Sequence, residues 1–257
     1  MKNLILPKTK FNTKNLIVLG AAAFTLTFAS CSNGDDGVGE PEATITEEEA
    51  AEAIAMSVSP DSGGMVEITQ EAIYTLEEDN STSGKAEDYE CGVEYGSSYN
   101  ISGQSGSISY DASLIWSWMV QCGTGIIPSA ADFELDGTST YDGPRISSEA
   151  STSATINITN LDDASNSYLV NETFSISGTQ ESNVSTINSF TSTIEFTTTN
   201  LAILKSNYNI ASGTVYASFV GKATNGNSYN FSGTLEFTGN QTATLTMGSG
   251  NTYNLAW

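Results

Sequence analysis

From Glu87 to the C-terminus apolar and polar residues alternate with a period of two, and this pattern confines the chain to β-structure. Tyr168, Val170, Phe174 and Ile176 share one parity, and Ile194 with Phe196 continues the pattern. Near the C-terminus the same holds for Tyr229, Phe231, Leu235 and Phe237, then Ala243, Leu245 and Met247, then Tyr253, Leu255 and Trp257. Asn225-Gly226, Gly239-Asn240 and Gly248-Ser249-Gly250 separate these runs as tight hairpin turns would. The spacing predicts a four-stranded antiparallel meander beginning near Gly213. Carried upstream, it predicts a mainly β domain of about ten strands over residues 81–257, an antiparallel meander forming a sandwich or a curled barrel. No repeat of fixed period is visible, which argues against a propeller.

A short helical segment, residues 44–80, precedes the strands. Thr46 with Glu49 makes a capping box, and Glu47, Glu48 and Glu49 suit the positive end of a helix dipole. Ala50, Ile54 and Val58 recur at a spacing of four, until Pro60-Asp61-Ser62-Gly63-Gly64 stops the pattern. Met65, Ile68, Ala72, Ile73 and Leu76 then give a second helical stripe over 65–78, so the pair can form a hairpin against the sheet. Asn80 to Lys85 reads as a linker.

The formal charge of −22 excludes nucleic acid as a partner, because phosphate backbones would repel the chain. The acidity is uneven, with 18 of the 30 acidic residues between Asp35 and Glu94. Histidine is absent, which removes the usual general base, the Ser-His-Asp arrangement and the commonest transition-metal ligand together. No metal or other cofactor is expected.

Of the three cysteines, Cys31 belongs to an export signal considered below, leaving Cys91 and Cys122. Tyr89, Cys91, Val93 and Tyr95 alternate with polar residues, and Leu114, Trp116, Trp118, Val120 and Cys122 share one parity. Both cysteines are therefore expected on inward strand faces, joined as one disulfide in an oxidising compartment.

Three groups are candidates for chemistry. Trp116 and Trp118, on one strand face, can stack sugar rings or fill a core. Asp132, Glu134 and Asp136 alternate with Phe133 and Leu135. Their carboxylates are a weak candidate for Ca²⁺ or for paired acid and base in glycoside hydrolysis, and equally the solvated face of a strand. Arg145, the only arginine, follows the turn Tyr141-Asp142-Gly143-Pro144; it can clamp an anionic ligand or pair with one of the many acids.

The N-terminus gives the address. Lys2, Lys8, Lys10 and Lys14 precede an apolar run from Leu16 to Phe28, then Ala29-Ser30-Cys31. This layout, over residues 1–30, is that of an export signal, too short to span a bilayer as a helix of about 20 residues. Phe28-Ala29-Ser30-Cys31 resembles the lipobox of bacterial lipoproteins. The resemblance implies acylation of the Cys31 thiol, cleavage before it, and anchoring of the mature chain to a membrane. Ser32, Asp35 and Asp36 open a tether over residues 31–43 and resemble the acidic export tag of surface lipoproteins of Bacteroidota. With the Tyr-Asp-Gly-Pro-Arg turn and the C-terminal meander, the layout is similar to uncharacterised lipoproteins of that group, from which no activity carries over. The expectation is an outer-membrane lipoprotein facing the exterior, with a non-catalytic β domain that binds a ligand such as a glycan or has a structural role in the envelope. The alternatives are a carrier of a lipid or other apolar ligand in a curled sheet, with the helices closing one end, and a carboxylate hydrolase.

Overall fold

A computed structural model of the chain describes residues 44–77, 89–124, 127–162, 164–184 and 188–257. The signal segment, Cys31, Ser32, Asp35, Asp36, the tether and the linker at 80–85 lie outside the described residues. Two helices come first, α1 at Glu47–Val58 and α2 at Met65–Glu77, joined by a 3-10 turn at Pro60–Ser62. Ten strands follow: β1 Glu94–Ser105, β2 Ile108–Cys122, β3 Pro128–Asp142, β4 Ile146–Thr159, β5 Ser167–Ser182, β6 Asn188–Leu204, β7 Ile210–Ala223, β8 Ser228–Gly239, β9 Thr242–Met247 and β10 Thr252–Ala256. They make one antiparallel sheet in sequence order, a pure meander whose first and last strands do not pair. The architecture is therefore a single curled, unclosed sheet, not two packed sheets.

The alternation read from the sequence becomes two faces. Trp118, Phe133, Ile156 and Glu172 follow one another along the inner face, as do Phe174, Phe196, Ala217 and Gly233. One hydrophobic cluster unites these side chains with both helices. The sheet wraps the helix pair: α2 meets Glu172 of β5, and Ile45, just before α1, lies over Gly221 of β7. Close approach also fixes one residue type within the sheet. A Cβ on Gly178 would stand 2.1 Å from the Glu149 carbonyl oxygen and 2.5 Å from the Ala150 Cα.

The capping box forms as the sequence implies, with Glu49 N–H donating to Thr46 Oγ1 at 3.2 Å and Thr46 N–H to Glu49 Oε2 at 2.8 Å. The expected inward placement on a strand is corrected for Cys91, while Cys122 ends β2 half-buried. They are joined, but at the rim: β1 begins only at Glu94, and Cys91 lies exposed in a turn whose Gly92 has φ +74°. Cys122 follows a register shift after Gln121 at the end of β2. The Tyr89–Val93 stretch forms turns because Gly92 N–H reaches across to the Val120 carbonyl at 2.8 Å, leaving Val93 39 % exposed.

Candidate functional site

In a meander alternate turns lie at the same rim, and α1 is fastened to one rim by four glutamates. Glu47 accepts from Ser249 Oγ and Asn251 Nδ2 in the β9–β10 turn, each at 2.7 Å. Buried Glu49 accepts from Asn188 Nδ2 at the start of β6, at 3.1 Å. Arg145, at the β3–β4 turn, donates to Glu48 at 2.9 Å and to Glu52 at 3.0 Å. Burial works against the guanidinium charge, but Glu52 and then Glu48 outweigh it and raise its pKa. Of the two expectations for Arg145, the pairing with acids is the one the fold forms, with Nε and Nη2 both turned to α1.

At the opposite rim α2 ends among polar contacts: Gln70 donates to the Tyr208 carbonyl at 2.9 Å, Tyr89 to the Thr75 carbonyl at 2.9 Å, and Tyr168 to Glu77. On the β1 side of the helix lies Tyr99, whose hydroxyl is pushed far above the usual tyrosine range by burial and then by Glu71.

Between the rims, in the apolar interior, stands Glu172. It lies on the inner face of β5, opposite Ile156 of β4 and Thr198 of β6, and is 3 % exposed. Its Oε2 is 2.7 Å from Thr69 Oγ1 of α2, and its Oε1 is buried without a hydrogen-bond partner. Thr69 Oγ1 is also 2.7 Å from the Met65 carbonyl. Burial lifts the Glu172 pKa to about 8, against which the Thr69 contact works weakly. Among the described residues no cation meets a charge in this place, so the neutral acid is the species that fits.

The tryptophans are core residues. Trp116 is 4 % and Trp118 8 % exposed, so neither offers a face to a sugar. Trp118 stacks on Phe133 at 5.8 Å and Tyr95 at 5.9 Å, and Trp116 on Tyr99 at 5.5 Å. Asp132, Glu134 and Asp136 stand on the outer face. Asp132 accepts from Asn157 Nδ2 at 2.7 Å and from Gln121, while Glu134 and Asp136 are exposed. Among the described residues no group of three or more acidic or cysteine side chains is arranged to hold a metal ion.

Among the described residues the exposed aromatic is Tyr216, 64 % exposed on the outer face of β7. It lies opposite Thr197 and Thr234, at a shallow groove of about 300 Å³ lined also by Ser232, Thr246 and Gly248. Two signals for these residues were present in the sequence. Glu172 interrupts the apolar parity of Tyr168, Val170, Phe174 and Ile176, and Tyr216 takes the outer parity in Val215, Ala217, Phe219. No protein-family model matches the chain, and no curated protein or solved structure gives a significant match.

Proposed function

We propose that the chain is an exported lipoprotein of the cell envelope, anchored through Cys31, whose β domain acts by binding and not by catalysis. The observation that carries the binding reading is the groove at Tyr216. An exposed ring beside the hydroxyls of Ser232, Thr234 and Thr246 offers the two features a sugar needs, an apolar platform and donors and acceptors along its edge. The signal layout and acidic tag support display on the outer membrane, where glycans of the envelope or the medium are within reach. The test is calorimetric titration of the mature chain with β-1,3-glucan, α-1,4-glucan and β-1,4-xylan oligosaccharides. Binding that Tyr216→Ala abolishes supports the reading. Absence of binding to all three, or binding that Tyr216→Ala leaves intact, removes Tyr216 as the site.

A second reading, a carrier of a lipid or other apolar ligand, is favoured by the inner face. It is apolar across nearly its whole width, and the chain's own helices cover it with apolar stripes of their own, pinned at a few polar contacts. Native mass spectrometry of the mature chain without detergent tests it: retained lipid mass supports a carrier, and a clean apo mass in chain taken from the envelope speaks against one. A carboxylate hydrolase draws the least support, since Glu134 and Asp136 stand on an open surface and Asp132 is tied by two amides.

A further inference from the structure

The contact between α2 and β5 has one proton too few if Glu172 is ionised. Thr69 carries a single hydroxyl hydrogen and has two oxygen neighbours at 2.7 Å, the Met65 carbonyl and Glu172 Oε2. A carbonyl can only accept, so the threonine hydrogen that satisfies Met65 leaves Thr69 Oγ1 as acceptor toward the carboxyl. Both contacts are hydrogen bonds at once only when Glu172 Oε2 carries a proton and donates it to Thr69. The remaining oxygen, Oε1, is buried with no partner, which a neutral carbonyl oxygen tolerates far better than half of a carboxylate.

The surroundings give a charge no relief. β4 presents Ile156, β6 presents Thr198 and α2 presents Thr69, none of them titratable. The acids of α2 are engaged elsewhere: Glu67 and Glu71 act on Tyr99 at β1, and Glu77 accepts from Tyr168 at the rim. The nearest fastenings of the same helix, Gln70 to the Tyr208 carbonyl and Tyr89 to the Thr75 carbonyl, carry no charge on the groups that meet.

We propose that Glu172 is a proton-held latch: its neutral carboxyl fastens α2 onto the inner face of the sheet, and surrender of that proton to water accompanies release of the helix. Release uncovers the inner face around Phe174 and Phe196, both fully buried while α2 is in place. The latch is independent of whether that face then takes up an apolar ligand, although it is the device a carrier would need.

Linkage fixes the pH window. A carboxyl raised from its ordinary 4.5 to about 8 in the closed state favours opening progressively as pH climbs between those values, tenfold per unit, and no further above them. Hydrogen exchange of the full mature chain, corrected for the intrinsic pH dependence of exchange, measures this directly. In the native chain the protection of α2 amides falls about tenfold per pH unit from about 5 to about 8 and then levels, and at every pH it lies well below that of β5 and β6 amides, which exchange only on global unfolding. Glu172→Gln, whose amide can still donate to Thr69, holds α2 protection constant across the range. Glu172→Leu gives a second pH-independent control should the amide disturb folding. The proposal is overturned by a pH-independent native helix, by the same fall in either variant, or by α2 protection equal to that of β5 and β6 at every pH, which would mean unfolding and not release.

Discussion

Removing the disulfide by Cys91→Ala together with Cys122→Ala separates what the bridge does to the folded state from what it does to the unfolded one. The bridge spans 31 residues and joins Cα atoms 5.7 Å apart at the open end of the β1–β2 hairpin. Closing a loop of that length removes about 12 cal/mol/K from the unfolded chain, or about 3.7 kcal/mol at 25 °C. The folded state has other ties at the same place. Gly92 N–H bonds to Val120, Tyr89 Oη–H to Thr75, and Glu90 N–H to Tyr95 Oη at 2.9 Å, while the Tyr89 ring stands edge-on to Trp118 at 6.1 Å. The variant should therefore keep its fold. Urea unfolding followed by fluorescence of Trp116 and Trp118 should show a loss of about 3–4 kcal/mol with a steeper denaturant slope, because the freed unfolded chain exposes more surface. In a domain of this size Tm should fall by about 7–15 °C. A loss below about 1 kcal/mol would refute the argument from the unfolded state. So would an unchanged slope accompanied by loss of exchange protection confined to β1, which would show the bridge acting as a local clamp.

Three further outcomes follow from particular contacts. Global stability should fall by about 1.4 kcal/mol per pH unit as pH rises from about 4.5 to about 8: the stabilisation from neutral Glu172 is fully present below its unfolded value and lost through its folded one, and denaturant titrations of Glu172→Leu should lack that slope. Arg145→Gln should cost no more than about 1 kcal/mol, since Arg145 is 40 % and Glu48 56 % exposed, and roughly 1 M salt should shrink the loss; a deficit of several kcal/mol in thermal unfolding would mean the pair carries the whole rim. Gly178→Val should destabilise by about 1–3 kcal/mol or more through the clash with Glu149 and Ala150, and a variant as stable as the native chain by denaturant titration would show that β4 and β5 can part there.

The strands were legible because most are long and one-sided. In β7 and β8 the inner parity of Val215, Ala217 and Phe219, then Leu235 and Phe237, stands apart from Ser, Thr and Glu on the outer one. The helices were legible through Thr46 and Glu49 and through the stripe from Met65 to Leu76. Cys91 was misplaced because alternation continues past the end of a strand: Tyr89, Cys91 and Val93 keep the rhythm of β1 although Gly92 turns the backbone. The duties of Glu47, Glu48 and Glu52 were hidden for another reason. Their partners, Ser249, Asn251 and Arg145, lie roughly a hundred or more residues away and meet α1 only at the rim.

Local pattern alone determined that this chain makes a meander with a capped helix before it, since side-chain periodicity and turn residues act within a few positions of themselves. Only the tertiary structure decided that the sheet stays open and that it curls around its own two helices. It also decided the state of Glu172. A glutamate in a strand is an ordinary solvated acid until another element closes over it. What keeps its proton is the loss of water around it, under a helix whose Thr69 comes from 103 residues away.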